Sequence, residues 1–183
     1  MSNWCSLEKV LEEMMPDFLV GISSKTPSAQ QIDAMGAMIG IEFPKAYKDL
    51  VSRVSAIIVE AKEDVWPPPK PFDVAPYWTF IRGFYVFGFG EDIPPFLNIE
   101  KQSTEFREAH GTELAPFMRL LGSADRFCFT RDGRMVEWCH DAPEEPQPCD
   151  TDDLYDLIVL HAEGLKANAD KIKAMRIGQA TDP

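Results

Sequence analysis

A chain of 183 residues, 45% hydrophobic and 26% charged, is long enough to form one domain with a substantial hydrophobic core. Its 30 Asp and Glu outnumber its 18 Lys and Arg, so the net charge is −12. An acidic surface repels nucleic acid and anionic lipid, which bind proteins through their phosphates, and it attracts a basic protein. The alternative is that the acidity only keeps the protein soluble.

The sequence carries no sign of export or membrane insertion. No run approaches the roughly 20 apolar residues that a bilayer-spanning helix requires. Glu8, Glu12 and Glu13 follow Met1 closely, where a signal peptide has a basic flank and an unbroken apolar run. We therefore expect a cytoplasmic protein with reduced cysteines.

Helical spacing of apolar residues predicts two helices in the first forty residues. The first runs from about Leu7 to Phe18, with Ser6 as its cap. A linker is expected over residues 21–25. The second helix opens at Thr26-Pro27, a cap followed by a first-turn proline, and ends near Ile39.

A third helix is predicted to begin at Pro44, whose fixed φ suits a first turn. Its apolar positions keep helical spacing as far as Ala61. They are Tyr47, Leu50, Val51, Val54, Ile57, Ile58 and Ala61. The three prolines at 67–69 then favour an extended chain. We expect Trp66 to anchor this segment to the body of the protein, in preference to a role as ligand for a proline-binding domain.

From Pro76 onwards, aromatic and β-branched residues predict strands. These strands cover residues 77–81, 84–89, 117–120, 127–130 and 135–138. Asp132-Gly133 is a strong hairpin signal between the last two strands. A helix from about Ile99 to His110, capped by Asn98 and stopped by Gly111, separates the second strand from the third.

A final helix is predicted from a cap at Asp150 or Thr151 to about Ala169, and residues 172–183 have the character of a tail. Strands joined by hairpins instead of helical crossovers indicate an antiparallel sheet. The expected fold is therefore α+β, a mainly antiparallel sheet with the N-terminal helices and the C-terminal helix to one side. We expect a single domain over residues 1–183.

No motif in the chain demands catalysis. The sequence has neither a glycine-rich phosphate loop nor a Gly-x-Ser-x-Gly elbow. Cys139 and His140 are neighbours on a predicted strand, so their side chains would point to opposite faces and form no dyad. A metal cluster of Cys128, Cys139, His140 and Cys149 is disfavoured, since structural zinc sites draw on closely spaced pairs. We expect no enzyme, no cofactor and no metal; a small hydrolase or metal enzyme using Cys139 and His140 is the alternative.

Acidic residues lie on both sides of the aromatic, proline-rich segment. An exposed aromatic set rimmed by carboxylates is typical of a binding patch for a basic protein. The predicted partner-binding residues are Glu63, Asp64, Trp66, Tyr77, Glu91 and Asp92. The alternative is a solvated acidic face over buried aromatic side chains.

The segment Gly40-Ile41-Glu42-Phe43-Pro44-Lys45-Ala46-Tyr47 resembles the opening signature of the SUKH superfamily, which includes the yeast Smi/Knr cell-wall regulators. That signature has Leu-Pro before the helix, and Phe43 takes the place of the leucine. Residues 63–67, 77–80, 84–94 and 127–138 add similarity to a bacterial branch. The resemblance covers roughly residues 29–165, and the proline-rich insertion at 66–76 departs from it.

The resemblance implies an α+β domain with a curved, mixed or antiparallel sheet packed by helices, and it carries over no catalytic residue. Many bacterial members are similar to immunity proteins, which bind and neutralise toxins encoded beside them. Those toxins are often nucleases, whose basic surfaces suit an acidic inhibitor. The leading hypothesis is therefore an immunity protein. The alternative is an intracellular regulatory or scaffold module without a toxin partner, as in the fungal relatives.

Overall fold

The computed structural model describes residues 3–23, 25–68 and 75–180, and over these residues the fold is α+β. Seven strands form one antiparallel sheet whose order follows the sequence. The strands are β1 (Phe18–Ile22), β2 (Ile57–Ala61), β3 (Gly83–Val86), β4 (Ala115–Leu121), β5 (Arg126–Phe129), β6 (Met135–Trp138) and β7 (Gln147–Pro148). The helices are α1 (Trp4–Met14), α2 (Ala29–Ile39), α3 (Lys45–Arg53), α4 (Ile99–His110) and α5 (Leu154–Ala180).

The predicted α+β class is confirmed, and the sheet separates two cores. Helices α1, α2, α3 and α5 contribute to the main core on one face of the sheet. There Phe129 of β5 lies against Tyr47 of α3, with ring centroids 5.1 Å apart. On the other face, Phe106 of α4 packs with Cys128 and Trp138 in a smaller core. Helix α4 therefore packs through Phe106 on the face of the sheet opposite the main core, whereas the N-terminal helices and the C-terminal helix share one face as expected.

The predicted third helix is correct at its start and wrong after Arg53. Val54 already has extended backbone angles, and residues 57–61 form β2, which pairs with β1 and β3. The burial of β2 alternates along its length, as it does in a strand with one face in the core. Ile57, Ile58 and Val59 are β-branched and favour a strand, although their spacing also fits a helical stripe.

Two other segments have a secondary structure different from the predicted one. Residues 18–22, expected to lie in the first helix and the linker after it, form the edge strand β1. Residues 77–80, expected to be a strand, form a short 3-10 helix that starts after Pro76. In that turn the Thr79 hydroxyl donates to the Pro76 carbonyl at 2.7 Å, so the chain folds back locally instead of extending. The last of the three prolines predicted to be extended, at position 69, and residues 70–74 of the proline-rich insertion lie outside the described residues.

Turn and cap chemistry predicted the middle of the chain well. The Asn98 side chain accepts a hydrogen bond from the Lys101 amide at 3.1 Å, and Gly111 ends α4 with φ +62°. Gly133 has φ +78° in the hairpin between β5 and β6, where the sequence predicts a turn. The short strand β7 was not among the predicted strands.

Several helix ends differ from the prediction. Asn3, not Ser6, caps α1, which ends at Met14, two residues before Pro16. Ser28, not Thr26, caps α2 through a reciprocal capping box with Gln31. The last helix continues to Ala180, well beyond the predicted end near Ala169.

The imidazole of His161 is largely buried against the Phe127 ring, with centroids 4.9 Å apart, and burial lowers its pKa. The unfolded chain therefore takes up a proton at His161 near pH 6.5, whereas the folded chain takes it up only at lower pH. Neutral His161 therefore contributes fully to the free energy of unfolding above pH 6.5, and this contribution is lost as the pH falls below that value. When the pH is lowered from 7.5 to 5.5, we expect the free energy of unfolding measured in urea to fall less for His161→Gln than for wild type. Parallel pH profiles would contradict this prediction.

An acidic groove beside the second helix

The structure divides the six predicted partner-binding residues into two groups at opposite ends of β2. Glu63, Asp64, Trp66 and Tyr77 lie beyond Ala61, where β2 ends. Glu91 and Asp92 lie in the loop after β3, at the end of the sheet where β2 begins. Five residues of strand, on the order of 15 Å, separate the two ends. The six residues therefore do not form one patch.

In the first group, Trp66 acts as an anchor. Its side chain is 1% exposed, and its indole N–H donates to the Thr79 carbonyl at 3.0 Å. This agrees with the expectation that Trp66 holds the segment to the body, and it leaves no indole surface for a partner. Tyr77, by contrast, is 63% exposed.

Cations from α5 lie beside this first group. The Arg176 guanidinium donates to the Asp64 and Val65 carbonyls. The Lys171 ammonium lies 5.4 Å from the centroid of the Trp78 ring. These positive charges weaken the attraction that the Glu63 and Asp64 carboxylates exert on a basic partner.

The second group borders a groove of about 670 Å³ between α2 and the loop after β3. This cavity and its rim, which includes Glu91 and Asp92, form the acidic groove. The lining combines aliphatic, methionine and aromatic side chains with a polar edge. It consists of Lys25, Thr26, Pro27, Gln31, Ala34, Met35, Met38, Phe89, Gly90, Glu91 and Asn98.

Two glycines bring the loop close to the wall of the groove. A Cβ on Gly88 would lie 1.7 Å from the Ser55 carbonyl oxygen, so only glycine fits there without movement of the backbone. A Cβ on Gly90 would meet the Lys25 carbonyl at 2.8 Å. The buried Ser55 hydroxyl donates to that same Lys25 carbonyl. Contacts between residues distant in sequence thus set the position of Glu91.

Backbone hydrogen bonds close the base of the loop. The Gly88 amide donates to the Leu97 carbonyl at 3.0 Å, and the Ile99 amide donates to the Gly88 carbonyl at 2.8 Å. The intervening residues, 89–97, project from this closed base with Glu91 and Asp92 exposed. A loop tied at both ends holds its acidic residues at a defined place beside the groove.

The two acids of the loop differ in their ionic partners. Asp92 forms an ion pair with Lys25, which lines the groove. The Glu91 carboxylate pairs with no cation in the part of the chain that the structure describes. Glu91 therefore leaves a net negative charge on the polar edge of a largely apolar groove.

Sequence reasoning missed the apolar part of this site. Met35 keeps helical spacing with the buried residues Ile32 and Ile39, yet its side chain is only half-buried and lines the groove. Met38 falls outside that spacing and is 58% exposed, so an apolar residue off the buried face of the helix was the signal in the sequence. On the other side of the loop, exposed Phe96 lies against Tyr85, with ring centroids 5.6 Å apart. This aromatic pair was also missed.

Within the described ranges, no helix combines the length and the apolar character needed to cross a membrane. The chain matches no model of a known protein family, and no curated protein matches its sequence.

Proposed function

We propose that this chain is a cytoplasmic immunity protein that binds a basic toxin domain, of the nuclease type, and blocks its active or substrate-binding surface. The observation that carries the proposal is the acidic groove, in which the Glu91 carboxylate, which pairs with no cation among the described residues, borders exposed Met38 and half-buried Met35. The net charge of −12 and the resemblance to the SUKH superfamily support the same reading. Such a protein acts by occupying a surface and needs no catalytic residue.

The two parts of the groove would contribute differently to binding. Flexible methionine side chains adapt to an irregular partner surface and exclude water from it, so they would mainly slow dissociation. Long-range attraction between the acidic protein and a basic partner would mainly speed association. A toxin with a lysine or arginine flanked by apolar side chains fits this combination.

Co-expression with the product of a neighbouring toxin gene tests the proposal directly. We expect the chain to restore growth of cells that produce the toxin and to copurify with it as a stable complex. Met38→Asp should weaken that complex by placing a charge on the groove floor, and Leu160→Asp, at an exposed leucine of α5, is the matched control. Failure to bind or protect would overturn the proposal, and an isolated gene would favour the regulatory or scaffold alternative.

Reversal of one charge should slow association with the toxin. We expect Glu91→Lys to lower the association rate several-fold, and up to about tenfold at low salt, because electrostatic steering depends on the net field near the site. The difference from wild type should shrink as salt rises. Glu63→Lys makes the same charge change at the other end of β2 and should have a smaller effect. Stopped-flow mixing measures both rates, and equal rates for Glu91→Lys and wild type would exclude Glu91 from the interface.

A further inference from the structure

Strand pairing brings three metal-ligating side chains together at one end of the β5–β6 hairpin. Arg126, the first residue of β5, pairs with Trp138, the last residue of β6. Asp125 immediately precedes β5, and Cys139 and His140 immediately follow β6. The antiparallel register therefore places these three residues beside one another.

This arrangement corrects the sequence-based argument about Cys139 and His140. Both residues were expected to lie on a strand, where neighbouring side chains point to opposite faces. The strand ends at Trp138, so the alternation does not extend to them. One potential ligand atom from each of Asp125, Cys139 and His140 lies within 4.8 Å of the other two.

We propose that Asp125, Cys139 and His140 form a binding site for a divalent cation of the zinc class. Thiolate sulfur, imidazole nitrogen and carboxylate oxygen are the three ligand types that zinc prefers. Three protein ligands leave a fourth tetrahedral position for water or for a group from a partner. On binding, the proton of the Cys139 thiol passes to the buffer, and neutral His140 coordinates through Nδ1 with its one ring proton on Nε2, which faces Asp141.

Surrounding groups hold two of the ligands in position. The Ser123 hydroxyl donates to Asp125 Oδ2 at 2.9 Å, leaving Oδ1 to face His140. His140 Nδ1 lies 2.8 Å from that Oδ1 atom, and His140 Nε2 lies 3.2 Å from an oxygen of Asp141. A carboxylate on the outer nitrogen is the usual partner of a metal-ligating histidine, because it fixes the tautomer whose other nitrogen faces the metal.

The loop that carries Asp125 is itself fixed from within. The Arg126 guanidinium donates to the carbonyls of Ser123, Ala124 and Asp125, at 3.3, 2.8 and 2.8 Å. This contact is separate from the ligand atoms, and it limits how far Asp125 can move when an ion binds. The aspartate is also less exposed than the histidine, at 24% against 46% of the side chain.

The same geometry argues against a cysteine nucleophile activated by His140. A general base needs a ring nitrogen within hydrogen-bond reach of the thiol. Both ring nitrogens of His140 face carboxylates instead, those of Asp125 and Asp141. The arrangement suits a cation better than it suits acyl transfer.

Cobalt titration of the intact, reduced protein tests the site, since a thiolate–Co²⁺ bond gives a near-ultraviolet charge-transfer band. We expect one equivalent of Co²⁺ to bind, to produce this band, and to be displaced by Zn²⁺. Cys139→Ser should abolish the band. Asp141→Asn removes an outer partner of a ligand and should weaken Co²⁺ affinity by roughly 10- to 100-fold. His140→Ala and Asp125→Asn change direct ligands and should weaken the affinity by more than that.

Two other cysteines provide matched controls. Cys5 is exposed and Cys149 is half-buried, and Cys5→Ser and Cys149→Ser should both keep the full band. Zn²⁺ should also raise the Tm of wild type and leave the Tm of Cys139→Ser unchanged. A cooperative thermal transition of Cys139→Ser shows that the variant is folded although it does not bind the ion. A wild-type protein without the band, or a band that disappears in Cys5→Ser and persists in Cys139→Ser, would overturn the proposal.

Discussion

Replacement of Trp66 with alanine is expected to lower the free energy of unfolding by about 3–5 kcal/mol, the range for loss of a large buried aromatic side chain. The indole is 1% exposed and lies against the Trp78 ring at 6.3 Å between centroids. Its removal would leave a cavity and would deprive the Thr79 carbonyl of the indole N–H that now donates to it. Urea unfolding monitored by circular dichroism measures the change.

Tyr77→Ala is the control for this variant. Tyr77 lies next to Trp78 in sequence but is 63% exposed, so its loss should change stability by less than about 0.5 kcal/mol. Equal stability of the Trp66 variant and wild type would mean that the segment after β2 does not depend on this anchor.

Gly88→Ala is expected to destabilise the protein by about 3 kcal/mol or more, at or above the top of the range for overpacking. The added Cβ would approach the Ser55 carbonyl oxygen to 1.7 Å, and a backbone atom cannot rotate away as a side chain can. Movement of Gly88 would also disturb its hydrogen bonds to Leu97 and Ile99, which close the base of the loop that carries Glu91. Thermal and urea unfolding would report the loss.

Gly164→Ala makes the same chemical change with the opposite expected sign. Gly164 lies inside α5, and no atom of another described element lies within 4 Å of the position of an added Cβ. Alanine should therefore stabilise the helix by about 0.5–1 kcal/mol relative to glycine. If both variants lost similar stability, the close approach at Ser55 would not be the cause at Gly88.

Local signals predicted the elements whose ends are set by their own residues. Asn98 and Gly111 set the two ends of α4 through capping, and Gly133 adopts the positive φ of the hairpin turn. These local conformations do not depend on contacts with distant parts of the chain. The segment from Val54 to Ala61 is different, because its apolar residues fit both a helical stripe and a buried strand. The choice depends on pairing with β1 and β3, which no local pattern reveals.

The candidate site was predictable only in part for a similar reason. Residue type alone identified Glu91 and Asp92 as possible partner contacts. The groove beside them requires α2 to face a loop about sixty residues later in the sequence, and Lys25 pairs with Asp92 across that separation. The metal-ligating cluster likewise needed the β5–β6 register, which sets Asp125 beside Cys139.

The contact between α1 and α5 has a consequence for synthesis of the protein. Glu13 pairs with Lys166 and Asp17 with Lys173, so early residues depend on partners made about 150 residues later. The β4–β5 and β5–β6 hairpins pair strands that are close in sequence and can form while translation continues. The first helix must wait for α5, and in that interval its apolar surface is open to chaperones or to another nascent copy.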